Sequence, residues 1–300
     1  MIAFHQVCKT FGSQTAVQNL SFTAPAGRIT GFLGPNGAGK STSLRILCSL
    51  CRPDSGRATI AGRRYRDLPI PGRLVGVMLD ASAYHPGRTG IEVLRQAALA
   101  NQVSTVRAWR ALDRVGLADA GRRRVGGYSL GMRQRLGLAV ALIADPEVLV
   151  LDEPANGLDP EGIRWMRGLL DDFASAGGTV LLSSHILAEV QHIADRIVVI
   201  DGGRQVAEAD TGTLLSGDAA RSIVDAADRA SLRLALQAAG LQVRPLPDGR
   251  LDVEAPAGTV GTVAAAEAVA LTHLEPARQN LEQIFFSLTS QRPEGTHDDH

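Results

Sequence analysis

Gly34-Pro35-Asn36-Gly37-Ala38-Gly39-Lys40-Ser41-Thr42 packs three glycines into a short run that closes on a lysine and two hydroxyls. Its neighbours decide how it folds. Arg28 to Leu33 reads as a strand running into Gly34, and the chain from Ser41 onward reads as a helix. Glycines between a strand and a helix let backbone N–H groups turn inward, where they cradle phosphate oxygens, and the positive end of the helix adds to that field. In such a loop Lys40 reaches the outer phosphates of a nucleoside triphosphate, and the Ser41 hydroxyl is placed for Mg²⁺. The rival reading is a glycine-rich turn with an incidental lysine. It is weakened by composition: of 31 basic residues, only Lys9 and Lys40 are lysines. A compact ammonium fits inside a tight loop where a planar guanidinium does not.

A second stretch agrees with the first. Val148-Leu149-Val150-Leu151 is a fully apolar strand that ends in Asp152-Glu153-Pro154. An apolar run of this kind is buried on both faces of a parallel sheet, so its end delivers two carboxylates to the sheet edge where a phosphate loop lies. There Asp152 would hold Mg²⁺ and Glu153 would act as general base on the attacking water.

The remainder of the chain sets limits. A formal net charge of zero gives no basic excess of the kind that marks a nucleic-acid binder. Cys8, Cys48 and Cys51 are too few and too irregular for a disulfide framework, and Cys48 with Cys51 lacks the second pair of a zinc site. The opening MIAFHQVCKTFG shows no secretory pattern, and no apolar run approaches the roughly 18 residues of a membrane helix. A soluble, cytoplasmic protein is the expectation.

Strands alternating with helical stretches predict an α/β domain over residues 1–215, with a helical subdomain over about 85–140 that includes a loosely phased helical region from roughly Gly90 to Gly116. The pattern changes between Gly212 and Gly217. From there the expectation is a small α+β domain over 221–290: strand Ser222 to Ala226, helix Arg229 to Ala239, strand Leu241 to Leu246, a turn at Asp248-Gly249, strand Arg250 to Ala255, helix Gly258 to Ala268 and strand Val269 to Leu274. This βαββαβ order is ferredoxin-like. A last helix, Asn280 to Ser290, and a disordered polar tail over 291–300 complete the reading.

A third motif makes a family resemblance specific. Tyr128-Ser129-Leu130-Gly131-Met132-Arg133-Gln134-Arg135 is similar to the signature sequence of ABC transporter ATPases, which mostly reads Leu-Ser-Gly-Gly-Gln followed by Gln-Arg; Leu130 and Met132 depart from it. The resemblance implies that Ser129 and Gly131 present a helix N-terminus to the γ-phosphate bound by a second copy of the chain. It further implies that Asn156 to Asp159 crosses a dimer interface, that His185 is the switch histidine on the γ-phosphate, and that Phe11 stacks on adenine. For Phe11 a core position in a β-hairpin is the alternative. Asp80 stands where the family carries a glutamine that touches Mg²⁺. A carboxylate can ligate that cation but cannot donate as an amide does. The surrounding Asp80 to Thr89 segment resembles exporters of actinobacterial type.

The resemblance implies a P-loop ABC-type ATPase fold, with a mixed sheet, a helical subdomain and an N-terminal antiparallel β region. It also implies ATP and Mg²⁺ as ligands, a head-to-tail homodimer around two ATP, and separate membrane subunits that hold the chain at the inner face of the membrane. The small domain resembles the C-terminal extension of drug and antibiotic exporters with ABC-2 type permeases, and export is favoured for that reason. Two other functions stay open on sequence alone: a non-transport ABC ATPase and a regulatory nucleotide switch.

Overall fold

The structure is a computed structural model and describes residues 1–211 and 221–276. Its described chain divides into one unit ending at Ala209 and another beginning at Asp210. The expected helix Asn280 to Ser290 and the tail 291–300 lie outside the described residues.

The first unit opens with strands β1 (Ile2–Phe11) and β2 (Gln14–Ala24), paired antiparallel from Ile2 opposite Ala24 to Phe11 opposite Gln14. Strand β4 (Ser55–Ile60) lies on the other side of β1. Beside this antiparallel layer stands the central sheet, built from β3 (Ile29–Leu33), β5 (Val75–Met78), β6 (Val148–Asp152), β7 (Thr179–Ser184), β8 (Arg196–Asp201) and β9 (Arg204–Asp210). Their order is β5-β6-β7-β3-β8-β9. The first five run parallel, and their near-continuous apolar runs are buried as both-face coverage requires. Phe4, Phe22 and Phe32 stack in series, at 4.6 and 5.2 Å between ring centroids, and tie the antiparallel layer to the central sheet.

Strand order carries the functional consequence. Strands β6, β7 and β3 are distant in sequence yet adjacent in the sheet, with Asp152 opposite Ser183 and Leu33 opposite Ser184. Whatever follows these three strands is therefore gathered at one carboxyl edge, the usual place for ligands in parallel α/β sheets.

Helix α1 (Lys40–Leu47) follows the glycine loop, starting one residue earlier than expected, and a short helix, α2 (Pro71–Leu74), precedes β5. The helical region from Gly90 to Gly116 resolves into two helices, which accounts for its loose phase. Helix α3 (Gly90–Ala100) is set by a Thr89–Glu92 capping box, and α4 (Arg107–Arg114) begins after a break at Asn101 and Gln102, where Gln102 takes φ 52°. Both pack with α5 (Leu130–Leu142) on a separate core that includes Leu94, Leu112 and Leu136. Helices α6 (Pro160–Ser175) and α7 (Leu187–Val190) complete the unit.

The second unit has β10 (Ser222–Ala226), α8 (Arg229–Ala238), β11 (Val243–Pro245), β12 (Leu251–Val253), α9 (Ala257–Ala266) and β13 (Leu271–Pro276). The sheet order is β11-β12-β10-β13, antiparallel throughout. This places β12 between β10 and β11, the split arrangement expected of βαββαβ. Leu232, Leu236, Val253 and Val260, all fully buried, form its core.

Candidate functional site

The glycine loop is held closed by space. A Cβ on Gly34 would stand 2.3 Å from Ile200 O, and one on Gly39, at φ 101°, would stand 2.2 Å from Ala16 O. Neither position accepts a side chain. Gly39 caps α1, and the next residue, Lys40, turns back into the loop. Its ammonium donates to Gly34 O at 2.7 Å and Pro35 O at 3.2 Å and lies 3.6 Å from Glu153 Oε1. The two carbonyls accept hydrogen bonds, and the carboxylate, beyond hydrogen-bond distance, supplies the opposite charge. That compensation is what a lysine only 5% exposed requires.

Glu153 is the centre of the arrangement. It follows β6 with φ 48°, a left-handed conformation that costs a non-glycine residue about 1–2 kcal/mol. One carboxylate oxygen faces Lys40, and the other accepts from His185 Nδ1 at 2.9 Å. Ser183, at the end of β7, donates its hydroxyl to Asp152 Oδ1 and accepts from Glu153 N–H at 3.0 Å. Lys40, Asp152, Glu153 and His185 thus meet at the β6-β7-β3 edge. The bridging role of Ser183 escaped the sequence reading; its only signal is a polar residue closing an apolar strand just before the histidine.

A further carboxylate borders the cluster. Burial pushes the Glu189 carboxyl of α7 above its ordinary range, His185 opposes the shift, and Glu153 adds to it. Asp80 follows β5, which runs beside β6. Its carboxylate accepts from the Ser82 hydroxyl at 2.6 Å and the Ser82 amide at 2.7 Å. Those bonds, with a smaller contribution from Arg45, hold it below the usual carboxylate range against the effect of burial.

Ser129 caps α5, accepting from Met132 N–H at 3.2 Å. A Cβ on Gly131 would lie 3.1 Å from Gly157 O, so the signature turn and the Asn156–Asp159 loop sit against each other within one chain. Asp159 in turn caps α6 through Gly162 N–H at 2.7 Å. Gln134 donates to Glu153 O at 3.5 Å, which links α5 to the acidic strand end. Phe11 is 53% exposed at the tip of the β1–β2 hairpin, with Lys9 Nζ 5.2 Å from its ring centroid. The core-phenylalanine alternative is excluded.

As a magnesium site, Ser41, Asp152 and Asp80 offer only oxygen donors, the class Mg²⁺ prefers. Among the described residues no three His, Cys, Asp or Glu side chains gather as a metal cage. A cation here would draw its remaining ligands from phosphate and water, as Mg²⁺ commonly does. The donor set fits.

The model of the ABC transporter family matches residues 17–156. The bacitracin transport ATP-binding protein BcrA of Enterococcus faecalis is 32% identical over 295 residues, covering 96% of each chain. The lantibiotic transport ATP-binding protein SrtF of Streptococcus pyogenes is 37% identical over 212 residues, 70% of this chain and 91% of that one. A dimeric bacterial ABC transporter cassette shares the fold with a TM-score of 0.65 at 23% identity, over 70% of this chain and 99% of its own. By the phosphate loop, the acidic strand end and a likeness that spans nearly the whole chain, this protein belongs to the ABC transporter family, among its ATP-binding subunits.

Proposed function

We propose that this chain is the ATP-hydrolysing subunit of an exporter, closing as a head-to-tail pair around two ATP and driving separate membrane subunits, of ABC-2 type, from the cytoplasmic face. The observation that carries the reading is Glu153, poised between Lys40 and His185. The exporter assignment draws on the transport names of BcrA and SrtF, and the pairing draws on the dimeric cassette. No helix among the described residues is long and apolar enough to cross a membrane, so the membrane path belongs to another chain in this reading.

In the proposed mechanism, Gly34 to Thr42 wraps the triphosphate with backbone N–H groups, and Phe11 stacks on the adenine. Lys40 exchanges the Glu153 carboxylate for the β- and γ-phosphates, so nucleotide binding itself releases the base. Ser41, Asp152 and Asp80 would hold Mg²⁺, which would offset charge on the phosphate oxygens. Glu153 then takes a proton from the attacking water, while His185 orients that water and the γ-phosphate. Ser129 and Gly131 complete the site of the other copy, so closure builds the catalytic arrangement and hydrolysis releases it.

Glu153→Gln tests the assignment. We expect ATP binding to persist and turnover at saturating ATP to fall by about 10²–10⁴-fold, with a long-lived dimer visible by light scattering. Turnover at the wild-type rate would remove Glu153 from the role of base.

A further inference from the structure

Between Arg52 and Asp67 the sequence carries five arginines and two aspartates, although the whole chain has no formal net charge. Four of these arginines, Arg52, Arg57, Arg64 and Arg66, line a single cavity of about 250 Å³ where the loop after α1 meets β4 and the turn Tyr65–Asp67. Asp54 is the carboxylate on that lining, and it is already engaged. Lys9 Nζ donates to its Oδ1 at 2.8 Å, and Thr10 N–H donates to its Oδ2 at 2.7 Å. Arg66 approaches Asp67 only at 3.8 Å, with both side chains more than half exposed. Arg52, Arg57 and Arg64 have no carboxylate partner among the described residues.

All four arginines are exposed residues, so water screens their mutual repulsion, but like charges on one lining still favour an anion among them. We propose that this cavity binds a compact phosphate-bearing anion, at a site separate from the nucleotide. Planar guanidinium forks match phosphate oxygens two at a time. A single carboxylate would offset only one of the four charges, whereas one or two phosphoryl groups offset most of them. The volume is below the roughly 300–1,000 Å³ of pockets that enclose whole ligands, so it suits phosphoryl groups rather than a nucleotide. The site is also remote from the phosphate loop: α1 has eight residues, which puts its two ends about 12 Å apart. Free pyrophosphate and the phosphomonoester headgroup of a lipid present the same chemistry.

The test uses the full chain saturated with ADP, so that the phosphate loop is filled. Sodium pyrophosphate is titrated calorimetrically at low salt. In parallel, flotation is measured with phosphatidylcholine vesicles that contain or lack phosphatidic acid, whose headgroup is a phosphate monoester. The expected result is binding of one pyrophosphate per chain, flotation with the anionic vesicles alone, or both. In Arg57→Ala/Arg64→Ala that binding weakens by about tenfold or more while ADP affinity is unchanged. Heat without flotation assigns a free anion, and flotation without heat assigns a headgroup. Neither signal in the wild-type chain, or equal binding by the double variant, overturns the proposal. If the double variant loses ADP binding as well, Arg52→Ala/Arg66→Ala carries the same comparison.

Discussion

The two units of the chain put charge to opposite uses. In the first, Lys40 is 5% exposed and is balanced by two carbonyls and the half-buried Glu153, at positions fixed by three strands. In the second, the pairs Arg229–Asp225, Arg250–Asp248 and Arg244–Glu254 lie at the surface, with arginine side chains 49%, 34% and 66% exposed. A buried ion whose partner is removed leaves an uncompensated charge, which costs about 3–5 kcal/mol. An exposed pair contributes about 0–1 kcal/mol. Geometry that strict is retained where a reaction depends on it; the most enclosed pair described in the second unit, Arg221–Asp252, keeps its arginine side chain 31% exposed against 6% for Lys40.

The largest expected effects fall on the first unit alone. Lys40→Ala should lower hydrolysis by at least about 10²–10³-fold, because it removes the donor aimed at the transferring phosphate, and titration with a fluorescent ATP analogue should show weakened binding. Melting of the second unit should not move. The reciprocal experiment is Leu236→Ala. Leu236 is fully buried in the second core, and truncation there should destabilise that unit by about 2–5 kcal/mol. Nucleotide affinity of the monomeric chain should be unchanged. If it falls with the second core, the two units are energetically coupled and the contrast drawn above fails.

A smaller effect probes the signature turn. Ser129→Ala removes the cap of α5 and should cost about 1 kcal/mol of stability. If Ser129 also serves the nucleotide of a second copy, turnover should fall with protein dilution more steeply than in the wild type, while single-chain nucleotide binding stays constant. Loss of stability with no change in concentration dependence would reduce Ser129 to an ordinary helix cap.

Much of this was readable in the sequence because the motifs are local. The glycines, Lys40 and Ser41 are consecutive, and Asp152 and Glu153 end an apolar strand, so burial and turn geometry could be inferred from neighbours. The βαββαβ order of the second unit was legible for the same reason, down to the turn at Asp248-Gly249. What escaped reading depends on strand order. The resemblance already set Lys40, Glu153 and His185 around one γ-phosphate, but nothing in the separate runs places β7 between β6 and β3, so neither their direct contacts nor the double use of the Ser183 hydroxyl could be derived. The break between α3 and α4 was hidden by apolar residues on both sides of it, although Thr89 and Glu92 are a readable start signal. Phe11 was ambiguous because an aromatic at a hairpin tip has the same sequence context whether it points in or out.

The smallest expected effect concerns pH and belongs to the second unit. Arg229 beside Asp225, the Ser231 amide beside Asp228, and the Arg250 amide beside Asp248 hold these three carboxyls below the usual aspartate range. A carboxyl depressed in the folded state binds its proton less readily there than in the unfolded chain. Its stabilisation is therefore complete above the unfolded value and is lost as pH falls below about 4. Asp228 separates charge from capping. Its Oδ1 accepts from Ser231 N–H at 3.0 Å at the start of α8, and asparagine is an equally good cap that does not titrate. Asp228→Asn should thus match the wild type at pH 7 and lose less on acidification. The measurement is hydrogen-exchange protection of the Ser231 and Leu232 amides, corrected for intrinsic rate, between pH 5 and 3. An identical decline in both proteins would mean that Asp228 acts there by hydrogen bonding alone, and the acid sensitivity of the unit would have to come from Asp225 and Asp248.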